Sequence, residues 1–314
     1  MPVSVSSTTK AIVDEFRSRP TLRAGSLITT VFGDAIAPRG GSVWVGSLIN
    51  VMADFGINER LVRTSVFRLS KDGLLDVRQV GRRSFYGLTA QGARMFERAT
   101  QRIYGEPRRD WSGSWCIILL AALSTEAREI VRKELRWLGF GAIGGSVLAH
   151  PSADVVSLKE VCKRLQVADD IVVLQSTCED DAQDQALRSL AQKSWNLDDI
   201  DQRYAGFVQR FRPVYAAVRK ARTLESRLAF QIRTLLIQEY RKILLRDPLL
   251  PAGLLPSAWH GNAAYALCRN LYLAVYADAD KLLSDCMETA EGPLPPPSPS
   301  FYGRFGGLPE ASNG

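Results

Sequence analysis

The sequence predicts an α+β chain of three parts: an N-terminal winged helix-turn-helix, a central ferredoxin-like α/β sandwich and a C-terminal α-helical domain. Three observations carry that prediction. Basic charge is confined to the first third, a basic hairpin follows three short helices, and the apolar period changes twice along the chain. Residues 1–110 hold 17 Lys+Arg against 10 Asp+Glu, while the remaining 204 residues hold 23 of each. The whole net charge of +7 therefore lies at the front, where an anionic partner is attracted. A solubility device would be spread evenly.

Residues 1–20 read as a flexible arm ending at Pro20, and residues 21–108 as the winged helix-turn-helix domain. Leu22, Leu27, Ile28 and Val31 mark a first helix, closed by Gly33 and the Pro38-Arg39-Gly40-Gly41 breakers. Ser42–Val45 suits a short strand, and residues 46–55 a second helix ended by Gly56. Asn58 is a good N-cap for a third helix reaching about Asp72. Two alternating stretches, 74–79 and 84–88, flank Val80-Gly81-Arg82-Arg83 and predict a hairpin with a basic tip. Thr89 then caps a fourth helix to about Tyr104. At 100° per residue, Leu61, Val62, Ser65, Val66 and Leu69 share the packed side of the third helix. Arg60, Thr64, Phe67 and Lys71 fall opposite, flanked by Arg63 and Arg68. Such side chains hold phosphates or read base edges in a major groove. With Arg39, Arg78, Arg82 and Arg83 they form the candidate DNA-binding set.

Residues 109–193 change character. Trp115–Leu123 reads as a buried strand, 125–138 as a helix, 140–149 as a strand, 158–165 as a helix and 170–176 as a strand. That alternation predicts the sandwich. Residues 194–290 are helical, over about 197–219, 223–246 and 262–288, with Pro248, Pro251 and Pro256 interrupting the last two. Residues 291–314 contain 11 Pro or Gly in 24 and read as a disordered tail.

Catalytic and metal chemistry find little support. The five cysteines (Cys116, Cys162, Cys178, Cys268, Cys286) are scattered and form no C-x-x-C, and there are two histidines, so no metal site or cofactor is expected. Gly139, Gly141 and Gly144 spell G-x-G-x-x-G, but they follow a helix and enter a strand, the reverse of a dinucleotide site. The acidic set Glu179, Asp180, Asp181 and Asp184 reads as a solvated helix start. The longest apolar run, Trp115–Leu123, is about half of the ~20 residues a membrane span needs. Residues 1–20 lack the basic-then-apolar block of a secretory leader, so a reducing cytoplasm is the expected compartment.

Three stretches carry a family resemblance. They are Phe32-Gly-Asp-Ala-Ile-Ala-Pro-Arg-Gly-Gly41 with Trp44 and Gly46, then Gly56-Ile-Asn-Glu-Arg-Leu-Val-Arg-Thr64 with Arg68, Leu69 and Lys71-Asp-Gly-Leu74, and Gly81-Arg-Arg-Ser-Phe-Tyr86 leading into Leu88-Thr89. Leu138-Gly-Phe-Gly141, Trp195-Asn-Leu197 and Asp247-Pro-Leu-Leu-Pro251 continue it, with Trp259 and Gly261. The chain resembles the PaaX family of repressors of phenylacetic acid catabolism over about residues 20–285. The resemblance implies a winged-helix head, a Cas2-like middle domain, a homodimer on operator DNA, and release by phenylacetyl-CoA or a related aromatic acyl-CoA. It implies a regulator, not an enzyme. The alternatives are a relative answering to another aromatic acid or acyl-CoA, or an acyl-CoA- or nucleic-acid-processing enzyme with a DNA-binding head. A Cas2-like nuclease needs a carboxylate near the end of its first strand, and Trp115–Leu123 has none. An acyl-CoA needs cations for its phosphates and an aromatic-lined slot. Arg227, Gln231, Arg241, Trp259 and His260 are the candidates, against the plainer reading of a solvated face with a packing tryptophan.

Overall fold

The computed structural model describes residues 4–19, 24–107, 111–151, 153–177 and 184–309. Its N-terminal part holds α1 (Val5–Arg17), α2 (Ala24–Val31), α3 (Val45–Ala53), α4 (Glu59–Lys71) and α5 (Ala90–Tyr104). Strands β1 (Ser42–Trp44), β2 (Leu75–Val80) and β3 (Arg83–Leu88) pair antiparallel in the order β1–β3–β2. Each boundary has a local cause. Asn58 Oδ1 accepts the Leu61 N–H and Thr89 Oγ1 accepts the Gly92 N–H, so side chains satisfy the free donors at both helix starts. Gly56 takes φ +75° between α3 and α4, and Gly81 takes φ +57° at the hairpin tip, both in the left-handed region that glycine enters cheaply.

The arm expected over residues 1–20 is corrected: it contains α1. Ser4 caps α1, whose buried side joins Ile12, Val13 and Phe16 with Thr8 and Thr9. Phe16 meets Phe55 edge-on at 6.4 Å, and Arg19 grips both oxygens of Glu239 at 2.8 and 3.0 Å. Pro20 and Leu22 lie outside the described residues.

The middle of the chain runs β4 (Ser114–Leu119), α6 (Thr125–Trp137), β5 (Gly141–Gly144), β6 (Val147–His150), α7 (Val155–Arg164), β7 (Val172–Thr177) and α8 (Asp184–Trp195). The sheet order is β5–β6–β4–β7 with every neighbour antiparallel, a split β-α-β arrangement. The strand expected over 140–149 is two strands, because the chain reverses at Gly144-Gly145-Ser146. Ile118 and Leu148 from the sheet pack with Val131 and Leu135 of α6 and Leu158 of α7 in one core. Trp195 Nε1 donates to the Gly139 carbonyl at 2.7 Å, and its ring sits where a Cβ on Gly141 would be. These two glycines thus serve packing, between a helix and a strand. Among the acidic set, Glu179, Asp180 and Asp181 lie outside the described residues.

The chain ends with α9 (Leu197–Lys220), α10 (Ser226–Leu244), α11 (Gly261–Cys286), the short hairpin β8 (Glu288–Thr289) and β9 (Gly292–Pro293), and α12 (Pro299–Tyr302). The structure forms two compact units, one of Met1–Glu106, Gly206–Lys242 and Ala263–Gly314, the other of Pro107–Ala205 and Ile243–Asn262. The helical stretch 194–290 is therefore shared between these two units. The cause is visible in α10. Phe230 packs edge-on against Phe55, Arg233 Nε donates to Asp34 at 2.6 Å, and the buried Gln238 accepts from Thr30 at 2.5 Å. The apolar and polar needs of α10 are thus met by α2, by Phe55 just beyond α3 and by the π turn Phe32–Ile36 that continues α2.

The disordered tail expected over 291–314 is likewise corrected for 291–309. Leu294, Phe301, Phe305 and Leu308 are buried, and Arg304 is fully enclosed. Residues 310–314 lie outside the described residues. Proline and glycine set turns here while the aromatic residues supply a core, so composition alone misreads the segment.

Candidate nucleic-acid interface

Val62, Ser65 and Val66 anchor α4, which leaves its opposite face in solvent. Arg60, Arg63, Thr64, Phe67, Arg68 and Lys71 are all exposed on it, as the helical angles require. The face is not uniformly available. Arg63 Nε donates to Glu59 Oε1 at 2.8 Å, an exposed i,i+4 pair that an incoming phosphate can displace at a cost of about 0.2–1 kcal/mol. Thr64 Oγ1 donates to the Arg60 carbonyl at 2.8 Å.

The β2–β3 hairpin carries Arg78, Arg82 and Arg83 in solvent. Arg82 stands exposed at the tip beside Gly81. Arg83 lies over the Trp44 ring, 4.3 Å from its centroid, and reaches Glu288 Oε2 at 2.6 Å. Arg78 approaches Glu291 at 3.4 Å. Both glutamates belong to the β8–β9 hairpin, fixed by the Glu288 N–H on Ser47 Oγ at 3.1 Å. Reasoning from sequence missed these partners, because an acidic pair inside a proline-rich stretch carries no local signal of where it docks.

Arg39 is a correction. Its side chain is 2% exposed, donates to the Ala35 carbonyl at 3.0 Å and pairs with Asp280 at 2.7 Å, beneath the Phe301 ring. Burial lowers its pKa and Asp280 opposes that shift. A side chain so enclosed does not reach a phosphate, and Arg39 leaves the interface. It belongs to a buried polar cluster around Asp34, which accepts from Tyr104 at 2.6 Å, Tyr272 at 2.9 Å, Arg233 at 2.6 Å and Arg304 at 2.9 Å. Burial works against ionisation of Asp34, but Arg233 and Arg304 outweigh it and hold the carboxyl below its ordinary range. Burial pushes the Tyr272 hydroxyl well above its ordinary value, against the opposing pull of Arg233 and Arg304, so it stays a donor.

The effector candidates divide. Arg227 pairs with Asp54 at 2.5 Å, Gln231 donates to the Asp54 carbonyl at 3.2 Å, and Arg241 donates to the carbonyl and hydroxyl of Ser26. These three tie α10 to the N-terminal helices. Trp259 and His260 belong to the other compact unit, where Trp259 packs on Tyr204 and His260 Nδ1 meets Asp201 at 2.8 Å. Among the described residues no three His, Cys, Asp or Glu side chains gather as metal ligands. No helix there is long and apolar enough to cross a membrane.

Comparison with known proteins gives one family for three successive stretches between residues 23 and 285. Family models match residues 23–92 (PaaX-like protein), 108–188 (PaaX protein central Cas2-like domain) and 195–285 (PaaX-like protein C-terminal domain). The Transcriptional repressor PaaX of Escherichia coli (strain K12) is 39% identical over 284 residues, 90% of each chain. Among solved structures, the uncharacterized protein Rv0674 from Mycobacterium tuberculosis matches 83% of this chain and 99% of its own, with a TM-score of 0.53 at 23% identity. That last likeness concerns the fold alone.

Proposed function

The chain belongs to the PaaX family, and on that premise we propose that it is a DNA-binding transcriptional repressor of phenylacetate catabolic genes. The observation that carries the reading is the outward face of α4, where four cations flank Thr64 and Phe67 beside a basic hairpin. In this reading residues 24–104 act as a winged helix-turn-helix. The face of α4 enters the major groove, and Arg82 at the hairpin tip holds adjacent phosphates or a minor groove. Arg63 is released from Glu59 to do so. Two copies of the chain, as a homodimer, meet half-sites spaced by whole turns, about 10 bp or a multiple.

The proposed effector is phenylacetyl-CoA or a related aromatic acyl-CoA, which favours a dimer geometry that mismatches this spacing. The protein acts in the cytoplasm as a regulator without a cofactor. Arg227, Gln231 and Arg241 would serve such an effector only by giving up Asp54 and Ser26, which favours a site made of other residues. The test is binding of the full chain to its own upstream DNA at fixed ~150 mM salt, with phenylacetyl-CoA or free CoA added. Release by the acyl-CoA but not by CoA supports the reading. Binding that ignores phenylacetyl-CoA leaves the repressor and rejects that effector.

A further inference from the structure

Eleven of the twelve phenylalanines are buried, and Phe67 is the exception, 65% exposed on the face of α4 proposed to meet DNA. Thr64 lies three residues before it on that face. Its hydroxyl is already engaged with the Arg60 carbonyl at 2.8 Å, so the group it offers outward is its methyl. Arg60, Arg63, Arg68 and Lys71 surround this apolar pair with cations. No internal packing explains an aromatic ring held in water at the centre of a cationic face. In a major groove, the apolar group on a base edge is the C5-methyl of thymine, which threonine methyls and phenylalanine rings contact.

We propose that Thr64 and Phe67 determine specificity by packing against thymine C5-methyl groups, while the surrounding cations hold phosphates and guanine edges. The inference rests on the DNA-binding reading of α4 and adds which base feature the helix selects. It separates the contributions on one face: cations on phosphates set affinity and its salt dependence, and the apolar pair adds thymine selection to whatever guanine edge an arginine reads.

The test uses the full chain and the tightest duplex recovered by selection from a randomised library, read by fluorescence anisotropy at fixed salt. Each thymine is replaced in turn by deoxyuridine, which removes the methyl and nothing else. At one or two positions in each half-site the affinity should fall roughly three- to ten-fold, the scale of one buried methyl group. Phe67→Ala should lose a similar factor on the unmodified duplex and become indifferent to uracil at one of those positions. Thr64→Ser keeps the hydroxyl and its bond but lacks the methyl, and should become indifferent at a neighbouring position. Both residues are exposed, and matched thermal unfolding of the variants confirms that folding is intact. A selective wild type that tolerates uracil everywhere overturns the inference and leaves the DNA-binding reading standing. Equal affinity for selected and scrambled duplexes overturns the DNA-binding reading, and this inference with it.

Discussion

Replacing Arg304 by Ala removes a cation that the last turn of the described chain inserts among residues 33–34, 104 and 272. In the wild type, Arg304 Nη1 donates to Asp34 Oδ1 at 2.9 Å, to the Asp34 carbonyl at 2.9 Å and to the Tyr272 hydroxyl at 2.8 Å. Nη2 reaches the Gly33 carbonyl at 3.2 Å, and the guanidinium stacks 4.0 Å from the Tyr104 centroid. Removing one partner of a buried ion pair costs about 3–5 kcal/mol, and Asp34 keeps Arg233, so the lower end applies. For a compact unit of this size, a loss of about 3 kcal/mol lowers Tm by roughly 6–12 °C. Arg304→Lys keeps the charge without the planar fork and should recover only part of the loss. Thermal unfolding by circular dichroism, repeated across pH, reads both effects. Asp34 titrates below its unfolded value of about 3.9, so its contribution is complete above that pH and is lost as pH falls through the lower folded value. The gap between wild type and Arg304→Ala should therefore be full at neutral pH and begin to narrow only below about pH 4, as Asp34 takes up its proton. A Tm change under about 2 °C at neutral pH would refute the claim that the tail seats in this cluster.

Further predictions concern the charged surface. Glu288→Gln with Glu291→Gln frees Arg83 and Arg78, so affinity for DNA should rise and its salt dependence steepen; unchanged binding would show that these exposed pairs do not compete with phosphate. Arg82→Ala should weaken binding about equally on every duplex and reduce the salt slope by about 1, as measured by anisotropy over a salt series. Arg39→Ala should lower Tm through its broken pair with Asp280 while selectivity between duplexes is kept, and a selective loss of operator binding at unchanged Tm would return Arg39 to the interface.

How far the sequence reaches depends on how local each cause is. Asn58 and Thr89 announce their helices because a cap is satisfied within three residues, and the Val62/Val66 spacing orients α4 unaided. The β2–β3 hairpin is legible from its alternation and Gly81. Long-range partners are not. Arg39 sits among breakers and reads as a surface cation, yet the aspartate that buries it lies 241 residues away. The spacing of Arg227, Gln231 and Arg241 sets them along one helix, but the sequence does not reveal that Asp54 and Ser26 receive them. The Gly144-Gly145 dipeptide is a local turn signal, whereas the apolar residues on either side read as one continuous strand. In the tail, eleven prolines and glycines outvoted Phe301, Arg304 and Phe305, although those three side chains are buried.

The central claim is that α4 selects a DNA sequence, and the ratio of affinities for the selected and scrambled duplexes tests it most directly. That ratio should be measured at ~150 mM salt for the wild type and for Arg60→Ala and Arg68→Ala, each checked for unchanged Tm. The account predicts a large ratio for the wild type, and a loss of about 1–3 kcal/mol on the selected duplex for whichever arginine reads a base. A wild-type ratio near one, or a high ratio untouched when Arg60→Ala and Arg68→Ala are combined with Phe67→Ala, would contradict it.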